Sequence, residues 1–305
     1  MPLDKVDKIW MNGKLVNWDD AKVHVLTHAL HYGSGVFEGI RAYETKAGTA
    51  VFRLTDHMKR LHGSAKIHMM DLPYNVEELV EATKETIRAN NLKSCYVRPI
   101  AYRGYGEMGL NPLNVPVDVS IAVWSWGAYL GEDGLKNGIT AMISSFQRID
   151  PNALPPAAKA TGQYINSILA KLEALYGGFE EAILLDSRGF VSEGSGENLF
   201  VVKEGVINTP STAASVLEGI TRATVIDIAR DMGLEVVERD LVRSDLFLAD
   251  EIFCTGTAAE ITPIREIDKR VIGKPGPVTK KLQEKFFRLV RGEEERYKNW
   301  LEFVG

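Results

Sequence analysis

Four short apolar runs between residues 181 and 209 constrain the fold more than any other feature of the chain. EAILLD, GFVSE, NLFVV and GVINT follow one another at regular intervals, with glycine in the turns between them. Such spacing predicts strands in a curved antiparallel sheet or barrel. Helical patterns flank the stretch, YINSILAKLEALYG before it and RATVIDIARDMG after it, which together indicate an α+β domain.

The N-terminal part of the chain predicts a second, smaller sheet. Asn12-Gly13 marks a hairpin between IWM and KLV, and KAGT separates IRAY from AVFRL. Two helices are expected to cover these strands. Thr55 is the predicted cap of the first helix, and Asn75 with Glu78 forms a capping-box pattern for the second.

The chain has 305 residues, a length that commonly divides into two domains with a cleft between them. WGAYLGEDGLKNG concentrates glycine and charge without apolar periodicity, so we place an interdomain linker at 125–137. The predicted domains are a small N-terminal α+β domain, 1–124, and a large C-terminal domain, 138–305. A charged helix from Val278 to the chain end is expected to close the second domain.

Charge and cysteine content exclude several classes of partner. The formal charge of −5 and a pI near 5.8 give no overall basic field for nucleic acid or an anionic membrane surface. Cys95 and Cys254 form no CxxC pattern, so we expect reduced thiols and no metal site. The charged N-terminus resembles no signal peptide, and no apolar stretch approaches ~20 residues, so we expect a cytoplasmic protein.

Lys159 is the first candidate for chemistry. AAKATGQ surrounds it with small, uncharged residues just before a predicted helix, where a desolvated amine could attack an aldehyde. On this local context alone, a solvated loop lysine is the commoner interpretation. The case for Lys159 therefore depends on other residues.

Glu193 and Asn198 stand in VSEGSGENLF, where a glycine-rich turn would bring a carboxylate and an amide from adjoining strands together. A buried glutamate there could pair with a protonated pyridine nitrogen and keep the ring an electron sink. A hairpin with exposed polar residues is the alternative interpretation, and the density of glycine, serine and carboxylate weakens it.

Two turns suggest phosphate binding. LEGITRAT places Gly219 and Thr221 at a helix start, where free N–H groups and the helix dipole favour an anion. In CTGTAAE, Gly256 and Thr257 follow a strand and could form an anion-binding nest. Each pattern is common alone, so their joint occurrence is the informative point.

Arginines supply further anion partners. Arg60 could pair with the same phosphate or lie on a solvated helix face. Tyr96 and Arg98 are two apart on a predicted strand, so they share a face suited to a carboxylate, unless that face is simply a polar outer surface. Without a fold, core packing is the default for a further set of side chains: Phe37, Met108, Trp126, Tyr129 and Tyr164.

In this order the segments resemble the class IV aminotransferases, which are fold-type IV pyridoxal-phosphate enzymes, and within them the branched-chain amino acid aminotransferases. The resemblance extends over nearly the whole chain, through HYGSGVFEGIRAY, the Arg60 helix, YVRPIAYRG, AKATGQYINSILAK, EAILLDSRGFVSEGSGENLFVVK, LEGITR and CTGTAAEITPI. It implies a two-domain α+β fold with the cofactor in the cleft and the barrel-like antiparallel sheet in the larger, cofactor-binding domain.

The resemblance also implies site residues. Lys159 would bind pyridoxal 5'-phosphate as a Schiff base and move the proton, Glu193 would pair with the pyridine nitrogen, and Tyr164 with the phenolic oxygen. Further cofactor-binding positions are Arg60, Asn198, Gly219, Ile220, Thr221, Gly256 and Thr257.

For the substrate, the resemblance implies that Tyr96 and the backbone of Thr257, Ala258 and Ala259 receive the α-carboxylate. Arg98 and Tyr32 would receive the distal carboxylate of glutamate. The apolar pocket would be lined by Phe37, Met108, Leu110, Trp126 and Tyr129. Because Tyr32, Met108 and Leu110 would come from the partner subunit, a homodimer or higher homo-oligomer is implied.

The implied reaction is reversible ping-pong transfer of the amino group from L-leucine, L-isoleucine or L-valine to 2-oxoglutarate, giving the branched 2-oxo acid and L-glutamate. D-amino acid aminotransferases and aminodeoxychorismate lyases share the lysine, the glutamate and the phosphate turns, and an R-selective amine transaminase is a further variant. FEGIRAY and YVRPIAYRG favour the branched-chain enzyme. A non-catalytic cofactor-binding protein is the alternative of another class, although Lys159 with Glu193 argues against it.

Overall fold

The structure is a computed structural model that describes residues 3–127 and 130–305. The chain folds as two compact units. The first unit comprises Met1–Trp126, Ala158–Gln163 and Leu289–Gly305, and the second comprises Gly127–Ala157 and Tyr164–Arg288. The first unit thus includes two short segments, 158–163 and 289–305, that were predicted to belong to the second domain.

The described residues form an α+β protein, as predicted. The strands are β1 (Lys8–Met11), β2 (Lys14–Asn17), β3 (Gly35–Phe37), β4 (Ile40–Thr45), β5 (Gly48–Phe52), β6 (Cys95–Arg103), β7 (Val117–Trp124), β8 (Ile139–Gln147), β9 (Glu181–Leu185), β10 (Val191–Gly194), β11 (Asn198–Lys203), β12 (Val206–Thr209), β13 (Val236–Glu238), β14 (Glu251–Gly256), β15 (Glu260–Ile267), β16 (Arg270–Val271) and β17 (Leu301–Phe303). The α-helices are α1 (His28–Tyr32), α2 (Leu54–Ile67), α3 (Val76–Ala89), α4 (Gly131–Asn137), α5 (Tyr164–Tyr176), α6 (Ile220–Asp231), α7 (Arg243–Phe247) and α8 (Pro277–Val290).

The first unit is built on an antiparallel sheet in the order β17-β5-β4-β6-β7-β1-β2, with β3 also paired to β6. Both predicted hairpins are confirmed, since β1 pairs with β2 and β4 with β5. Helices α2 and α3 pack together, and α3 also packs on β1 and β7. A buried apolar cluster that includes Ile40, Leu61, Val97 and Ile121 forms the core.

The helix starts in the first unit were only partly predicted. The capping box of α3 is confirmed, with Glu78 N–H donating to Asn75 at 2.9 Å and Asn75 N–H donating back to Glu78 at 2.7 Å. The predicted cap of α2 is wrong, because the helix starts at Leu54 and Thr55 lies inside its first turn. Instead, Thr55 N–H donates to the Glu302 carboxylate at 2.7 Å, a partner 247 residues away in the sequence.

The C-terminal segment also differs from the expected helix. Helix α8 ends at Val290, and a 3-10 segment, Glu295–Trp300, leads into β17. β17 pairs with β5, where Leu301 lies opposite Phe52. The strand is favoured because its ladder satisfies backbone groups and buries Leu301, which a solvated helix would leave exposed. This pairing places 289–305 in the first unit.

The second unit contains a sheet in the order β10-β9-β8-β15-β14-β11-β12-β13, with β16 on β15. It was predicted as antiparallel but is mixed, because β8 pairs in parallel with β9 and β15, and β12 in parallel with β13. Parallel neighbours need a long return connection. Helix α5 lies in the connection from β8 to β9, and α6 lies in the connection from β12 to β13. β15 curls the sheet by pairing with β14 at its start and β8 at its end.

Within the second unit, α5 packs on β8 and β9, and α6 packs on β13 and β14. Phe200 and Phe253 are fully buried on adjacent strands, with stacked rings 4.9 Å apart. Helix α4 occupies part of the range 125–137, so the linker proposed there includes ordered structure. Over residues 3–127 and 130–305, no helix is both long and apolar enough to span a bilayer.

Candidate active site

Lys159 is fixed by backbone hydrogen bonds on both sides. Its N–H donates to Ser64 Oγ at 3.0 Å, and its carbonyl accepts from Phe37 N–H at 3.0 Å. Ala158 and Ala160 beside it are buried, while the lysine itself is half-buried. The small neighbours therefore allow this segment to pack against β3 and α2, which argues against a freely solvated loop lysine.

The Phe37 ring joins two of the predicted site residues. Lys159 Nζ lies 5.1 Å from its centroid, and the Arg98 guanidinium carbon lies 4.9 Å from it. Cations over an aromatic face are held by the ring quadrupole. The amine and the guanidinium thus share one aromatic partner.

Tyr96 and Arg98 lie on the same face of β6, as their spacing predicts. Arg98 donates to Tyr96 Oη at 3.4 Å, and the Tyr96 ring meets Trp126 edge-on at 4.4 Å. Within the described chain, the buried Nε of Arg98 has no hydrogen-bond partner. Gly39 is required here, because a Cβ at that position would lie 2.1 Å from Tyr96 Oη. Tyr96 and Arg98 can therefore bind an anion beside the ring of Trp126.

Arg60 is held by an internal carboxylate. Its Nε and Nη2 donate to the two oxygens of Glu38 at 2.7 and 2.8 Å. His57 Nδ1 lies 2.7 Å from Glu38 Oε2, and both Glu38 and His57 are buried. Neither partner was predicted from the sequence.

Glu193 and Asn198 meet as predicted, with Asn198 Nδ2 donating to Glu193 Oε2 at 3.1 Å. Leu217 N–H donates to the same oxygen at 3.0 Å. Arg148 Nε lies 2.8 Å from the other oxygen, although its N–H is not aligned for a hydrogen bond, so this contact is an ion pair. These contacts hold both oxygens of the buried carboxyl group in place.

A second carboxylate supports the glycine-rich turn after Glu193. Glu181 accepts from Lys171 Nζ at 2.6 Å and from Ser195 N–H at 3.3 Å. Glu197, in the same turn, is buried, and this burial raises its pKa to about 8, with Glu181 and Glu193 adding to the rise. Glu197 in the turn is therefore neutral near pH 7, while Glu181 and Glu193, on the strands beside it, each pair with a cationic side chain.

The start of α6 has the properties of an anion site. Gly219 is its N-cap residue, Ile220 and Thr221 begin the helix, and both are buried. No side chain in the described chain caps this end. A Cβ at Gly219 would lie 1.9 Å from Asn198 Oδ1, so glycine alone fits beside that amide. The first N–H groups are thus available to an anion.

The second predicted phosphate turn is the tight connection between β14 and β15. Gly256 ends β14, Thr257 and Ala258 are half-buried, and Ala259 is buried. Gly256 pairs with Glu260 across the turn. The connection is therefore short, as an anion-binding nest requires.

The remaining predicted residues lie outside these clusters. Tyr164 begins α5 and is half-buried. Tyr32, Met108 and Leu110 are exposed by 43%, 43% and 88%, which leaves them available to a second subunit. Tyr129 lies outside the described residues.

Three residues of these clusters were not predicted from the sequence: Arg148, Glu38 and His57. Glu38 was visible in FEGIRAY, next to a predicted pocket residue, and His57 precedes Arg60 by three positions on a predicted helix. This three-residue helical spacing was the one sequence signal that could have linked His57 to Arg60. Arg148 stands in an irregular stretch, where no periodicity points to Glu193.

Comparison with known proteins gives a consistent family. A family model described as "Amino-transferase class IV" matches residues 35–267. The branched-chain-amino-acid aminotransferase of Escherichia coli (strain K12) is 51% identical over 307 aligned residues, which cover 100% of this chain and 99% of the relative. The crystal structure of the Escherichia coli branched-chain amino acid aminotransferase matches with a TM-score of 0.97 at 51% identity, covering 99% of this chain and 100% of that one.

Structures of two further branched-chain aminotransferases are similar to this chain. The enzyme of the thermophilic archaeon Thermoproteus uzoniensis, crystallised with norvaline, matches with a TM-score of 0.95 at 48% identity, covering 98% of this chain and 100% of that one. The enzyme of Thermobaculum terrenum, in its PLP-bound holo form, matches with a TM-score of 0.92 at 37% identity, over 99% of both chains.

Proposed function

Because the chain belongs to the class IV aminotransferase family, we propose that it transfers the amino group of L-leucine, L-isoleucine or L-valine to 2-oxoglutarate with pyridoxal 5'-phosphate as cofactor. The relatives at about half identity over the full length support the branched-chain substrates. The observation that carries the proposal is the Phe37 ring, which contacts both the Lys159 amine and the Arg98 guanidinium.

The described residues fit the cofactor. Glu193 is a buried carboxylate suited to a pyridinium nitrogen, and the uncapped start of α6 with the turn at Thr257 suits a phosphate. Tyr164 is the proposed partner of the phenolic oxygen. When bound, pyridoxal phosphate supplies an aldehyde that takes up the amino group and a ring that stabilises negative charge at the substrate α-carbon.

Lys159 is the proposed catalytic residue. Its Nζ would hold the cofactor and, once displaced by the incoming amino acid, take the proton from the substrate α-carbon and later return a proton as an acid. Backbone bonds to Ser64 and Phe37 restrict where the amine can move. Restricted motion favours reaction because the orienting entropy is already lost.

Glu193 is proposed to keep the pyridine nitrogen protonated. Arg148, Asn198 and the Leu217 N–H hold its two oxygens in place. A fixed, ionised carboxylate stabilises a positive nitrogen without reorganising during the reaction.

The substrate pocket must accept both a branched alkyl group and a carboxylate. We assign the apolar wall to Phe37 and Trp126, and the distal carboxylate of 2-oxoglutarate to Arg98 at the edge of that wall. The Arg98 guanidinium is already placed over Phe37 and Tyr96, at 4.9 and 5.3 Å. An alkyl substrate therefore need not bury an unpaired charge.

A homodimer or larger homo-oligomer is part of the proposal. Helix α5 exposes a row of large apolar side chains, which is unusual for a monomer. The row consists of Ile165, Ile168, Leu169, Leu172, Leu175 and Tyr176. The exposed Tyr32, Met108 and Leu110 would complete the pocket of the partner subunit. As its compartment we propose the cytoplasm, because both cysteines, Cys95 and Cys254, are free thiols.

Absorbance of the cofactor-loaded protein tests the proposal. L-leucine should shift the visible band as the amino group is taken up, and 2-oxoglutarate should restore it. A response to D-alanine or to aminodeoxychorismate in its place would assign the chain to one of those activities of the same fold. No response to any donor, with cofactor bound, would identify a carrier. Lys159→Ala provides the inactive control.

A further inference from the structure

Helix α2 presents a polar face built from His57, Arg60 and Ser64. These positions are spaced three and four residues apart, so they share one side of the helix. His57 and Arg60 contact Glu38, and Ser64 accepts the Lys159 N–H. One helix face thus connects the internal carboxylate with the lysine segment.

Glu38 is completely buried, and its carboxylate contacts the side chains of Arg60 and His57. Two donors of Arg60 reach its two oxygens side by side, and His57 adds a third short contact. Burial favours the neutral acid, but the Arg60 guanidinium and His57 hold the pKa of Glu38 well below its ordinary value. Burial lowers the pKa of His57, against the effect of Glu38, so a neutral imidazole donates its Nδ1–H.

The buried ion pair between Glu38 and Arg60 is expected to affect side-chain orientation more than stability. A buried ion pair gains little stability over apolar packing, since both charges lose their hydration. It does, however, fix the plane of the guanidinium, because a side-by-side contact admits a single orientation. Glu38 follows Phe37, whose N–H holds the Lys159 carbonyl, so the carboxylate is tied to the strand that positions the lysine.

We propose that Glu38 and His57 are positioning residues that orient Arg60 toward the cofactor phosphate and so give the enzyme its preference for pyridoxal phosphate over pyridoxal. The inference rests on the proposed function, which assigns Arg60 to the phosphate. In the proposed reaction Glu38 contacts no reacting atom and acts only through Arg60.

The test compares cofactor affinity in Glu38→Gln with wild type. Apoenzyme is titrated with pyridoxal phosphate and, separately, with pyridoxal, and binding is followed by tryptophan fluorescence. An amide would present an N–H to a guanidinium or imidazole N–H, so Arg60 should turn away. We expect affinity for pyridoxal phosphate to fall about tenfold, as for loss of a charge-assisted hydrogen bond, with affinity for pyridoxal changed less than about twofold.

His57 provides a second pair of variants in case Glu38→Gln does not fold. His57→Phe removes the donor and should reduce the phosphate preference. His57→Asn retains an N–H near the Nδ1 position and should restore it. Lys59→Ala, on the exposed side of the same helix, is the matched control and should bind both forms like wild type.

A double-mutant cycle shows whether Glu38 acts through Arg60. In an Arg60→Lys background, Glu38→Gln should cause no further loss of phosphate preference. Wild-type preference in a folded Glu38→Gln or His57→Phe protein would overturn the inference. Equal loss of both cofactor forms, or tighter phosphate binding in Glu38→Gln, would also overturn it. Failure of wild-type protein to bind pyridoxal phosphate would refute the proposed function instead.

Discussion

Glu197→Gln should stabilise the protein, and increasingly so as pH rises. Burial raises the Glu197 pKa from 4.5 to about 8, so the folded state keeps a proton that the unfolded chain releases. Below pH 4.5 both states are protonated and there is no cost. Between the two pKa values the folded state loses about 1.4 kcal/mol per pH unit, up to a limit of about 5 kcal/mol above about pH 8. Glutamine carries no titratable proton and avoids this loss.

Urea unfolding at a fixed protein concentration measures the effect. The difference in unfolding free energy between Glu197→Gln and wild type should grow steadily from about pH 5 to about pH 8. Glu235→Gln, at an exposed position of the same unit, is the control substitution measured over the same pH range. Parallel stability profiles for wild type and Glu197→Gln would refute the reasoning.

Three further variants test other parts of the structure. Arg98→Met should lower kcat/KM for L-glutamate about ten- to a hundredfold and affect L-leucine much less, and equal losses in steady-state assays would contradict the assignment. Phe253→Ala should lower the unfolding free energy by about 3–5 kcal/mol, because it leaves a cavity against Phe200; a loss below about 1 kcal/mol in urea would contradict this packing. Asn75→Ala should cost about 1 kcal/mol in the same measurement by removing the α3 cap, whereas an unchanged midpoint would show that the capping box adds nothing.

Local patterns predicted local structure well. The Asn12-Gly13 hairpin and the Asn75 capping box depend on neighbours in sequence, and both are present. Glu193 and Asn198 are five residues apart on strands joined by a turn, so their contact was also within reach of the sequence.

Long-range partners were not predictable in this way. The start of α2 is capped by Glu302, which lies far away in the sequence. Arg148 contacts Glu193 from an irregular stretch. No periodic sequence pattern connects Glu302 to α2 or Arg148 to Glu193. β17 was missed because a charged C-terminal sequence resembles a solvated helix until a neighbouring strand, β5, offers a pairing edge. The parallel pairs of the second sheet depend on crossover connections. The alternation of apolar and polar residues predicts a strand but does not show whether it pairs parallel or antiparallel.

Reduction with borohydride tests the central role of Lys159 most directly. If Lys159 holds the cofactor, reduction of the loaded protein should attach pyridoxal phosphate irreversibly to the AAKATGQ peptide, and treated protein should lose transamination of L-leucine. Peptide mass spectrometry should find the added mass on Lys159 in wild type and on no peptide of Lys159→Ala. Attachment at another lysine, or a protein that stays colourless in excess cofactor, would contradict the account.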